Sequence, residues 1–239
     1  MSIRLHLSGP VATLTLDNPT KLNCFTVDML AQLAAHLETI EANPDLRAVI
    51  NAWGGLSPAE FARNWVRGGH RIFDRRARLS KPTIAALNGH AFGGGLELAA
   101  ACDIRVISPK ATIALPEAGV GIVPGWSGSQ RLARLIPEGI LKEMALFGRR
   151  IGADRLAQCG FVAEVADNPC AAAQSIAEKA TTLSPRATEI TKAMIHAGKA
   201  EDSAALIEAL GAAAIAASAD REEGVSSFQQ KRKPEFPGT

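Results

Sequence analysis

The sequence predicts an α/β fold with largely parallel strand pairing, and three features carry that expectation. A nearly continuous apolar run, Thr83 to Leu87, has the pattern of a strand covered on both faces. Segments of strand character alternate with segments of helical period. With 239 residues, 47% of them hydrophobic and 21% charged, the chain can bury a sizeable core.

Taken in order, Val11 to Leu16 alternates small or polar with apolar residues, and Asp17-Asn18-Pro19 supplies a turn after it. Thr26 then stands as a cap, with Asp28 in a first turn. Val27, Leu30, Leu33, Ala34, Leu37 and Ile40 recur at helical spacing until Asn43-Pro44. Arg47 to Asn51 reads as a short strand. From Trp53 to Arg78 the glycines, the many arginines and a weak period predict loop and broken helix. After the Thr83–Leu87 strand, Asn88-Gly89 is punctuation, a helix is expected from about Gly94 to Ala101, and Ile104 to Ile107 is the next strand. Beyond Gly125 the chain turns mostly helical. Ser184-Pro185 is placed as cap and first residue of a helix to His196, and the alanine-rich run Ala204 to Ala219 is helical by propensity.

Charge and cysteine usage exclude several function classes. Lysine and arginine number 26 against 24 acidic residues, which gives no general electrostatic reason to expect nucleic acid or an anionic membrane as partner. The opening MSIRLHLSGPVATLTLD lacks the continuous apolar stretch of a signal peptide, so a cytoplasmic location is expected. No apolar run approaches the ~20 residues that span a bilayer. Cys24, Cys102, Cys159 and Cys170 are widely spaced, which suggests buried reduced thiols, with no metal and no redox cofactor.

The chemistry concentrates in two segments. Asn88-Gly89-His90-Ala91-Phe92-Gly93-Gly94-Gly95-Leu96-Glu97-Leu98 sets consecutive glycines between a buried strand and a helix. Glycine costs backbone entropy, so its freedom must be needed here, either for a tight turn or to bring a ligand close to helix-start N–H groups. Ala114-Leu115-Pro116-Glu117-Ala118-Gly119-Val120-Gly121-Ile122-Val123-Pro124-Gly125 places one carboxylate among apolar and glycine residues, where it must be paired, hydrated or protonated. His90 reads as a turn histidine, and Asp103 as a residue that orders the start of the next strand.

NGHAFGGGLELAAACDIRV followed by LPEAGVGIVPGWSGSQRLARLIP resembles, in order and spacing, the signature of the crotonase (enoyl-CoA hydratase/isomerase) family. VATLTLDNPTKLNCFTVDML, GRRIGADRLAQCGFVAEV and FQQKRKPEFPGT are similar to family segments too, so the likeness runs from near Val11 to the end. The resemblance implies the ClpP/crotonase spiral of repeated ββα turns over residues 1–185. A C-terminal helical region over 186–239 would follow within one continuous family domain, building a homotrimer or a dimer of trimers. It implies an acyl-CoA thioester substrate, coenzyme A being part of that substrate. Carried across, the oxyanion-hole glycine falls on Gly94, the catalytic glutamates on Glu97 and Glu117, and the water-positioning amide on Gly125. Lys21 and Leu22 match the stretch lining the CoA path, and Lys231, with Arg232 and Lys233 in a compact cationic tail, is a candidate for the CoA phosphates or for a neighbouring subunit.

The chain also departs from that pattern. The family's F-x-A-G-x-D motif, source of the second oxyanion donor, is replaced by Ser57-Pro58-Ala59-Glu60-Phe61-Ala62-Arg63, with Phe61 where glycine is expected and Ala62 where the donor would be. The segment before Lys81-Pro82 is shorter than usual, and Trp126 stands where the family prefers a small residue, to narrow the acyl pocket or displace the chemistry. Three functions follow: a 2-enoyl-CoA hydratase, a related acyl-CoA reaction such as isomerisation, decarboxylation or thioester hydrolysis, or a weakly active or inactive acyl-CoA-binding homologue.

Overall fold

The computed structural model describes residues 2–17, 27–43, 45–46, 48–53, 63–120, 123–197, 211–212 and 214–239. Its main sheet has six strands in the order β1 (Ser2–Ser8), β2 (Val11–Asp17), β3 (Ala48–Trp53), β4 (Thr83–Leu87), β6 (Ile104–Ile107) and β9 (Glu164–Val165). Strands β1 and β2 form an antiparallel hairpin, and every later pairing in this sheet is parallel. Parallel neighbours need a crossover, and α1 (Val27–Ala42) and α2 (Arg63–Ala77) provide the first two.

Both faces of the sheet are covered. Helix α1 buries Met29, Leu30, Leu33, Leu37 and Ile40 in the larger apolar cluster, which agrees with its period. On the opposite side α7 (Pro169–Ala180) sets Ala173 and Ala177 against Val11, Ile84, Ala86 and Val106. All of β4 is buried, as its continuous apolar run requires.

Helix α2 corrects the expectation of loop and broken helix. It runs unbroken over Arg63–Ala77, and its inward positions include Gly69, Phe73 and Arg76. A glycine and an arginine thus occupy places that a count of apolar residues passes over. The hairpin strand β1 is likewise an addition to the sequence reading.

A smaller sheet of β5 (Ala91–Phe92), β7 (Thr112–Ala114) and β8 (Ile151–Gly152) stands beside the main one. Helix α3 (Gly94–Ala100) follows β5, and the short α4 (Gly128–Leu132), α5 (Glu138–Phe147) and α6 (Ala153–Gln158) follow β7. Helix α8 spans Pro185–Ala197, with Ser184 Oγ accepting the Ala187 N–H at 3.1 Å as the sequence predicts. Half of the helix expected over Ala204–Ala219 lies outside the described residues, and its end is earlier than expected. Ser218 caps a separate helix α9 (Ala219–Gln230) by accepting the Arg221 N–H at 3.2 Å. Among the described residues no helix is long and apolar enough to cross a membrane.

Candidate active site

Pairing in the small sheet is what brings two distant segments together. Strand β5 lies parallel to β7, with Phe92 opposite Ala114, and the Gly93 N–H extends the ladder to the Ala114 carbonyl at 3.1 Å. The start of α3 and the 3-10 turn Glu117–Val120 therefore meet at one end of this sheet. Gly93 makes the turn at φ 51°, ψ −125°, a region open to glycine, and a Cβ on it would stand 2.8 Å from Glu117 Oε1. Backbone thus reaches the carboxyl closely at a point where a side chain has no room.

Glu97 and Glu117 are both buried, at 3% and 6% exposure. Their partners differ. Glu97 Oε1 accepts the Trp126 N–H at 2.8 Å and the Gly128 N–H at 3.0 Å. Burial is the largest influence and leaves its pKa raised, although these amides, that of Gly125 and the charge of Arg131 offset part of the rise. Glu117 Oε2 is buried with no hydrogen-bond partner among the described residues. Burial first, then repulsion from Glu97, raises the Glu117 carboxyl to about 7. One carboxyl is tethered by donors that favour its anion; the other is left to hold a proton near neutrality.

Of the expected site residues, the structure brings Gly94, Glu97, Glu117 and Gly125 into one neighbourhood. Gly94 opens α3, where N–H groups have no intrahelical partner. Lys21, Leu22 and Ala62 lie outside the described residues, as does Phe61. Lys231 is exposed, at φ 52° just past α9. Its neighbour Arg232 is bound to Glu223 through two contacts of 2.5 and 2.6 Å, which takes it out of the cationic tail. His90 is the expected turn residue, its Nδ1 meeting the Thr112 N–H at 3.2 Å. Asp103 ties the start of β4 by accepting the Thr83 N–H and hydroxyl, both at 2.7 Å.

Trp126 is buried inside the fold. Its ring packs between α2 and the start of α3, 4.8 Å from the Phe73 ring, and a Cβ on Gly94 would lie 2.5 Å from it. The indole therefore does not displace Glu97; its own main chain holds that carboxyl. No motif in the sequence marks this use of Trp126 and Gly128, or of His70, Asp74, Ser127 and Arg131 beside them. The nearest signal is the glycine-flanked GWSG turn, whose Gly128 is close enough to Glu97 that a Cβ would stand 2.2 Å from its Cγ. Among the described residues no group of three or more His, Cys, Asp or Glu side chains is placed to hold a metal ion.

A profile of the Enoyl-CoA hydratase/isomerase family matches residues 60–239. The chain belongs to this family. Across its length it is 32% identical to a short-chain-enoyl-CoA hydratase of Clostridium acetobutylicum, covering 98% of this chain and 97% of that protein. It is 33% identical to an (E)-benzylidenesuccinyl-CoA hydratase of Thauera aromatica over the full length of both. Its fold matches the crystal structure of an enoyl-CoA hydratase from Bacillus anthracis with TM-score 0.93 at 29% identity, over 99% of each chain. The architecture is thus that of the crotonase superfamily, and the protein is an enzyme of the hydratase/isomerase family.

Proposed function

We propose that the protein adds water across the 2,3 double bond of a 2-enoyl-CoA thioester. The observation that carries the reading is the asymmetry of the two buried carboxyls: Glu97 on backbone donors, Glu117 with an unpartnered oxygen and a pKa raised to about 7. Glu117 in its acid form delivers a proton to the α-carbon, and Glu97 with the Gly125 amide holds and activates the water that attacks the β-carbon. Negative charge that gathers on the thioester oxygen is met by the Gly94 N–H at the start of α3, with the Ala62 amide as second donor. Lys21, Leu22 and Lys231 are assigned to the CoA portion. No resident cofactor takes part. Thiols at Cys159 and Cys170 that stand outside any disulfide suit a cytoplasmic setting.

Two spectra separate this reading from its alternatives. Hydration of crotonyl-CoA removes the conjugated enoyl absorbance, and isomerisation of a 3-enoyl-CoA creates it. The proposal predicts loss of absorbance with crotonyl-CoA. A gain with the 3-enoyl substrate and none of that loss would make the enzyme an isomerase, and CoA binding with neither change would make it a binding homologue.

A further inference from the structure

Ser127 is one of two non-glycine residues among those described that take a positive φ, at φ 64° and ψ 18°. That left-handed shape is unfavourable for a residue with a Cβ and persists only where neighbours enforce it. Its position gives the reason. The residues on either side, Trp126 and Gly128, donate their N–H groups to the same oxygen, Glu97 Oε1. Amides two apart converge on one acceptor when the residue between them turns the chain, whereas an extended residue there would swing one of them away.

Helix α2 supplies what enforces the turn. The Ser127 hydroxyl lies 2.9 Å from His70 Nδ1 and 3.2 Å from Nε2, and His70 Nε2 also lies 3.2 Å from Asp74 Oδ2 one helical turn on. Asp74 Oδ1 also receives Arg131, whose Nη1 donates to the Trp126 carbonyl at 2.9 Å. Asp74 therefore anchors the turn twice, through His70 to the Ser127 side chain and through Arg131 to the Trp126 main chain. We propose that His70, Asp74 and Ser127 form a brace that holds the 126–128 turn in the shape aiming two amides at Glu97, so that His70 and Ser127 are positioning residues for that carboxyl.

The brace explains the serine. Glycine at 127 would adopt the same shape without help, while serine needs the hydroxyl contact to stay there. Among the described residues, the charged groups that face Glu97 are Arg131 and Glu117, and those that face His70 are Asp74 and, through it, Arg131.

This inference rests on the proposed role of Glu97, but its test does not require turnover. The ionisation of Glu97 is followed as the carboxyl infrared band that Glu97→Gln removes, with circular dichroism to confirm the fold. Ser127→Ala and His70→Ala should each move that titration upward by about one pH unit, since the amides no longer hold the anion as firmly. Adding Ser127→Gly to His70→Ala should return it to the parent value, because the turn then needs no brace. Titration in Ser127→Ala and His70→Ala unchanged from the parent would overturn the proposal, and so would failure of the glycine to rescue. A parent inactive on crotonyl-CoA would count against the hydratase reading while leaving this titration to decide the brace.

Discussion

Glu97 and Glu117 share apolar surroundings, and what separates them is the supply of donors. Burial raises both, and three main-chain amides offset part of that rise at Glu97, while Glu117 has one oxygen without a partner among the described residues. A carboxyl that titrates at about 7 in the fold against an ordinary 4.5 holds a proton between those values that the unfolded chain has released. Its linkage to folding therefore runs downward with pH: stability is greatest below about 4.5 and declines until the pH passes about 7. Glu117→Gln removes this dependence. Urea unfolding should show the variant gaining on the parent as pH rises from 5 to 8, and a parallel pair of curves would contradict the raised pKa. The kcat/KM of the parent should fall on the alkaline side as Glu117 loses its proton near pH 7.

Single elements carry the next set of consequences. The junction between β5 and α3 depends on Gly93, where an added Cβ meets both an unfavourable φ and the Glu117 oxygen. Gly93→Ala should cost about 1–3 kcal/mol in chemical unfolding and reduce turnover together. Helix α2 gives the opposite case. Arg76 is fully buried, its Nη2 meeting Cys102 Sγ at 3.6 Å, while Nε and Nη1 have no partner among the described residues. Such a charge is a burden on the fold, so Arg76→Met should be neutral or stabilising by about 1–4 kcal/mol. A clear loss of stability would show that the guanidinium is needed where it lies.

At the scale of the whole molecule, legibility followed the strength of local pattern. Strands β2, β4 and β6 and helices α1, α3 and α8 could be read because their burial obeys a simple period or ends on a clear cap. Helix α2 could not, since Gly69 and Arg76 take inward places. The short strands β5, β7 and β8 carry two or three residues each and leave no period to read. Yet these strands assemble the site, so the glutamates could be named from their motif while their unequal hydrogen bonding could not. The 126–128 turn was hidden for the same reason: its contacts join residues 57 apart. Helix α8 has no fully buried residue, and Leu183, Ile195 and Phe228 are exposed. A trimer or a dimer of trimers is the assembly proposed here. Light scattering should return a mass that is a multiple of three protomers, and a monomeric mass would refute it.

The proposed role of Glu117 as the acid opposite a tethered Glu97 can be measured as the loss of enoyl absorbance when crotonyl-CoA meets the parent, Glu97→Gln and Glu117→Gln at one pH. Each variant should keep its fold and lose at least ~100-fold in kcat. Undiminished turnover in Glu117→Gln would contradict the account.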